Sequence, residues 1–142
     1  MRPMTYDPNN IFAKILRGEI PCHRVHEDEA TLAFMDVMPQ VDGHTLVIPK
    51  SPSRNLLDAD PAIFGPLMTT VQKVAQAAKR AFKSEGLLIK QFNEAAAGQT
   101  IYHLHVHILP RRAGEELRTH AGKMADQALL ARHAEMIRAE IR

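Results

Sequence analysis

Three histidines alternate with aliphatic residues in the run Tyr102-His103-Leu104-His105-Val106-His107-Ile108-Leu109-Pro110. Successive side chains of a strand leave opposite faces, so a period of two puts all three imidazoles on one side, with Leu104, Val106 and Ile108 behind them. Same-face neighbours lie about 6.5–7 Å apart. On a helix the first two rings would diverge by about 200° and the cluster would be lost. Such a row admits three readings. It can be the wetter face of a half-buried strand. It can ligate a metal through neutral imidazole. Or one ring can attack an anionic substrate while its neighbours donate hydrogen bonds to developing charge.

Other chemistry-bearing groups are few. The single cysteine, Cys22, precedes His23, but adjacent residues on an extended chain point apart, so the two do not form a working thiol–imidazole pair. Neither a Walker loop nor a GxGxxG stretch occurs, so the usual glycine-rich phosphate cradles are missing. The net charge of +2 and the dispersal of basic residues outside Lys79-Arg80 and Arg111-Arg112 argue against a nucleic-acid surface and leave small anionic substrates open. One cysteine excludes an intrachain disulfide framework and fits a reducing compartment. The stretch from Met1 to Asn10 lacks the apolar centre of a signal peptide, and no apolar run reaches membrane length, so the cytoplasm is expected, with no membrane partner.

The elements that must position the histidines can be read from periodicity. With 142 residues, 45% of them hydrophobic and 24% charged, the chain is one ordinary domain over 1–142. Asn9 or Asn10 can cap a short helix over Ile11 to Arg17, stopped by Gly18. Val25 to Glu27 and Thr31 to Met35 read as strands around Asp28-Glu29, and His44 to Pro49 as a third. Asp58 or Asp60 before Pro61 starts a long helix whose apolar positions, from Ile63 to Phe82, run on to Ser84, with Gly86 closing it. Leu87 to Asn93 is a fourth strand and the histidine run a fifth. Leu129, Leu130, His133, Met136, Ile137 and Ile141 mark an amphipathic C-terminal helix, with His133 a helix-face residue. This order gives an α+β fold: a five-stranded antiparallel sheet with one long packed helix, a short N-terminal helix and a C-terminal helix.

With these pieces placed, the chain resembles the histidine triad (HIT) family of nucleotide hydrolases and transferases. The resemblance rests on His103 to Leu109, on Ile11-Phe12-Ala13-Lys14-Ile15, on Asp36-Val37, on His44 to Lys50 and on Asn93 to Thr100. It covers roughly residues 10–112 and leaves 113–142 as a C-terminal helical extension. It implies a homodimer whose sheets join across a two-fold axis, and attack on the α-phosphate of a nucleotide derivative through a covalent nucleotidyl-histidine. Carried over by position, His105 is the nucleophile, His107 contacts the phosphate and His103 orders the network.

The resemblance further implies phosphate contacts from Asn93, Gln99 and Thr100. It also implies a purine slot lined by Ile11, Phe12, Ile15, Phe34, Val37 and Leu46, and ribose recognition by Asp36. A carboxylate offers two acceptors to a vicinal diol, and an unpaired carboxylate between Met35 and Val37 would be costly as plain core. Asn93 is equally readable as a turn residue. Some family members bind zinc through a Cys-x-x-Cys pair and two histidines. Here those cysteine positions are Asn10 and Ala13, which leaves His44 and His103, too few for a closed structural site. No metal and no other cofactor is expected. The expected activity is hydrolysis of a purine nucleoside phosphoramidate or similar conjugate. Hydrolysis of a dinucleoside polyphosphate and a non-enzymatic nucleotide-binding or adaptor role are the alternatives.

Overall fold

The computed structural model describes residues 5–119 and 123–142. Helix α1 spans Ile11–Leu16, and strands β1 Arg24–Glu27, β2 Thr31–Met35 and β3 Thr45–Pro49 follow. Helix α2 spans Phe64–Phe82, strands β4 and β5 span Gly86–Lys90 and Val106–Arg111, and helix α3 spans Gln127–Glu140. The strands form one five-stranded sheet in the order β1-β2-β3-β5-β4, antiparallel at every pairing. No helix among the described residues is long and apolar enough to cross a membrane.

Both faces of the sheet are covered, which is why β2 and β3 are buried at every position. On one face Ala33, Met35, Val47, Val106 and Ile108 pack under Leu67, Val71, Val74 and Ala78 of α2 and Leu130, Ala134 and Ile137 of α3. On the other, Leu32, Phe34, Leu46 and Ile48 meet Phe12 of α1 in a smaller cluster. Asn10 caps α1 by accepting from Ala13 N at 2.9 Å, and Gly18 follows at φ 79°, conformational space that glycine enters at little cost.

Several element ends differ from the sequence reading. A 3₁₀ turn, Pro61–Ile63, precedes α2, capped by Asp60 accepting from Ala62 N. Pro66 cannot bond back to Ala62, so the regular ladder starts later than Pro61 suggests. Asp58 instead accepts from Arg54 N and Asn55 N. Helix α2 ends at Phe82 with Lys83 left-handed at φ 50°, and Gly86 is the first residue of β4 rather than the helix stop. Strand β4 stops at Lys90, and just beyond it Gln91 and Asn93 turn their amides on each other.

The histidine run departs most. Only His107 lies in β5, which begins at Val106. The β3 ladder runs Thr45↔Ile108, Leu46↔His107 and Val47↔Val106, and two residues further along β3 stands Pro49, which has no N–H to offer. The chain before Val106 peels away, and Leu104 N donates to Ser53 O at 2.8 Å.

Candidate active site

Each imidazole has a different local task, and its backbone partners assign its tautomer. His105 Nδ1 lies 2.6 Å from the His103 carbonyl oxygen, which can only accept. Nδ1 therefore carries the proton, and the lone pair is on Nε2. His105 packs edge-on against Phe12, with ring centroids 5.0 Å apart, and sits at 5.0 Å from His107.

The tautomer of His107 is set from a distance. Gln40 N donates to His44 Nδ1 at 3.1 Å, so His44 Nε2 bears the proton and donates to His107 Nδ1 at 2.9 Å. That leaves the His107 proton on Nε2, making this ring a hydrogen-bond donor beside His105. Gly43 makes the tight entry to His44 possible: it sits at φ 89°, and a Cβ there would lie 2.8 Å from the Phe82 ring. Gln40 in turn accepts from Lys90 Nζ at 2.7 Å. Burial lowers the Lys90 pKa, and the charge of Asp36 pulls it partly back.

His105 and His107 open on a cavity of about 370 Å³. All six residues of the expected apolar slot line it, Ile11, Phe12, Ile15, Phe34, Val37 and Leu46, together with Asp36 and Thr100. Asp36 Oδ1 accepts from Met38 N at 2.9 Å, and Oδ2 lies 3.5 Å from His44 Nε2. The cavity is thus apolar over most of its wall, with a carboxylate, a hydroxyl and two imidazoles among its polar groups.

Three expected site residues stand elsewhere. His103 is fully buried and absent from the cavity wall; its Nε2 donates to Pro49 O at 2.8 Å. Burial pushes its pKa down, and the bond to Pro49 partly restores it. Gln99 does not line the cavity, and its amide turns to the protein instead. It donates to Arg54 O and Ile101 O and accepts from Asn55 Nδ2 and Glu94 N. Asn93 accepts from Leu56 N at 2.9 Å and joins two loops rather than the cavity.

The structure also adds residues with no motif to announce them. Met124 and Gln127, from the start of the C-terminal helical region, close one side of the cavity. Ala125 N holds this segment to Val37 O at 2.9 Å. Cys22 lines the wall too, and burial raises its pKa, so it is a protonated thiol rather than a nucleophile.

Among the described residues, the positions expected to hold zinc do not form a metal centre. Asn10 and Ala13, where thiolates would stand, instead form the cap of α1, and His44 meets His107 rather than His103. Asp36, His44 and His107 do bring ligand atoms within 4.8 Å of one another. Ligation through His44 Nε2, however, would move its proton to Nδ1, against the N–H of Gln40, two donors facing each other.

Residues 17–114 match the HIT domain family. The adenylylsulfatase HINT3 of Arabidopsis thaliana is 36% identical over 124 residues, an overlap of 83% of this chain and 63% of that protein. A Hit-like protein of Bartonella henselae, described as involved in cell-cycle regulation, superposes with a TM-score of 0.91 at 53% identity, covering 96% of this chain and 100% of that one. A hypothetical histidine triad nucleotide-binding protein of Sulfolobus tokodaii superposes with a TM-score of 0.83 at 34% identity, covering 91% and 89%.

Proposed function

Because this chain belongs to the HIT family, we propose that it hydrolyses a purine nucleoside phosphoramidate or a similar nucleotide conjugate at the α-phosphate. The observation that carries this reading is the His105 Nδ1–H bond to the His103 carbonyl, which puts a lone pair on Nε2 of a ring lining a nucleotide-sized cavity.

In the first step His105 Nε2 forms a bond to phosphorus and the bond from phosphorus to the leaving group breaks. The electron pair departs with the amine, which takes up a proton. His107, a donor at Nε2, meets the charge that spreads over the phosphoryl oxygens, as does the Thr100 hydroxyl. Water then attacks phosphorus and returns to solvent the proton that the amine took from it, the N–P bond breaks, and His105 recovers its lone pair as nucleoside monophosphate forms. The base occupies the slot between Phe12, Phe34 and Leu46, and Asp36 accepts from the ribose hydroxyls. Sulfate, as the name of HINT3 suggests, or a nucleotide can replace the amine without altering the nucleophile. Strand β4 is a sheet edge with Ile89 exposed, and we place the two-fold contact of a homodimer there. A cytoplasmic location fits the lone Cys22.

The test is His105→Ala. It should abolish turnover of adenosine 5′-phosphoramidate while leaving the melting temperature near that of the parent. Mass spectrometry of quenched wild-type reactions should find a nucleotide adduct on His105. Turnover by the variant, or wild-type turnover that never passes through an adduct, refutes the mechanism, and nucleotide binding with no turnover points to an adaptor. Parallel rates on the phosphoramidate, adenylyl sulfate and diadenosine tetraphosphate rank the leaving groups.

A further inference from the structure

Tyr6 lies upstream of the matched segment and has no part in the chemistry described so far. Its phenol oxygen is 2.7 Å from His103 Nδ1, and its ring stands edge-on to that imidazole, with centroids 5.6 Å apart at 66°. The direction of the hydrogen bond follows from the other side of the ring. His103 Nε2 faces the Pro49 carbonyl at 2.8 Å, so Nε2 holds the proton and Nδ1 the lone pair. The Tyr6 hydroxyl is therefore the donor.

The backbone of the same residue holds the nucleophile. The peptide joining His103 to Leu104 accepts from His105 Nδ1–H on its carbonyl side and donates to Ser53 O on its N–H side. Bonds in such a chain polarise one another, so each strengthens the next. The peptide plane is anchored by Ser53, and the side chain it carries is anchored twice, by Pro49 and by Tyr6. Removing the phenol would leave a buried imidazole nitrogen without its donor and let the ring exchange tautomers, at the expense of the Pro49 bond.

We infer that Tyr6 is a positioning residue for this reaction: its hydroxyl fixes the His103 tautomer and, through the His103 carbonyl, the aim of His105 Nε2. The inference rests on the assignment of His105 as nucleophile. Neither Tyr6 nor His103 lines the cavity, so the effect belongs to the rate of the chemical step rather than to substrate binding.

Tyr6→Phe in the full chain keeps the edge-on contact and removes only the hydroxyl. With histidine labelled by ¹⁵N, the His103 Nδ1 resonance should move toward that of an imidazole nitrogen without a donor. The value of kcat should fall about tenfold, the worth of one hydrogen bond that positions the nucleophile, with KM within about twofold of the parent. Tyr6→Leu, which also loses the ring, should show the same kcat deficit with an added drop in melting temperature. An unmoved Nδ1 resonance in Tyr6→Phe overturns the inference, as does a parental kcat, or a deficit confined to Tyr6→Leu. The resonance is read without turnover, so a missing adduct on His105 sinks the nucleophile assignment while the Tyr6–His103 bond is still measured.

Discussion

His44→Leu should reveal how much of the chemistry depends on a ring that never meets the substrate. His44 is fully buried and bridges Gln40 N and His107 Nδ1 at 3.1 and 2.9 Å. Leucine fills similar space but orphans both partners, at about 1–3 kcal/mol each. Part of that is offset by the apolar side chain, so a net loss of about 2–4 kcal/mol is expected. In a domain of this size that is on the order of 10 °C in melting temperature. Turnover should suffer more. Without a donor at Nδ1, His107 can take its proton there and present a bare Nε2 to the phosphate. Loss of one preorganised donor costs about 10²–10³ in kcat. His44→Gln is the control, because an extended glutamine carries its amide N–H close to where the imidazole Nε2–H stood. It should recover kcat to within about tenfold of the parent. Release of amine from a nucleoside phosphoramidate at saturating substrate measures kcat, and thermal melts by circular dichroism give stability. Parental turnover in the leucine variant would refute the relay, as would glutamine and leucine variants equally impaired.

Asp36→Asn keeps an oxygen for Met38 N but loses the charge, so KM for a ribonucleotide substrate should rise about tenfold while KM for its 2′,3′-dideoxy analogue stays put; equal changes in both would remove Asp36 from ribose recognition. Burial holds His103 and His133 below the ordinary imidazole value of 6.5. Below that value the unfolded chain binds protons that the folded chain refuses, so stability should fall as pH drops from about 7 to 5. Urea titrations of His133→Leu, which loses the ring set edge-on to Phe82, should show a shallower fall; an identical slope would contradict this. Ile89→Glu on the exposed edge strand should yield monomers by light scattering, and an unchanged mass would move the two-fold contact elsewhere.

The sheet, its three helices and the apolar half of the cavity were legible because their signals are local. Asn10 before an apolar turn, the short apolar runs of β2 and β3 and the long stripe of α2 each report on neighbours a few residues away. The alternation of the histidine run misled at His103 and His105, since the residue that ends the ladder, Pro49, lies more than fifty positions upstream. Gln99 and Asn93 resembled phosphate ligands in a short motif. Their actual partners are Arg54, Asn55 and Leu56, which only the folded chain brings near. His44 read as the first residue of a strand, and nothing local marks a partner 63 residues away. Gln40 and Lys90, which complete that chain of bonds, are ordinary surface residues by type.

The matched family segment stops at residue 114, but the chamber does not. Met124 and Gln127 supply a wall from beyond that boundary, tethered by Ala125 N to the carbonyl of Val37, the residue after Asp36, and by the Gln127 side-chain oxygen to His23 Nε2. Reactivity and fit are thus written in separate parts of the chain, the former in β5 and the segment just before it and the latter partly in a tail that carries none of the imidazoles at work. Changes in that tail can retune which molecules are admitted while the reacting groups keep their alignment.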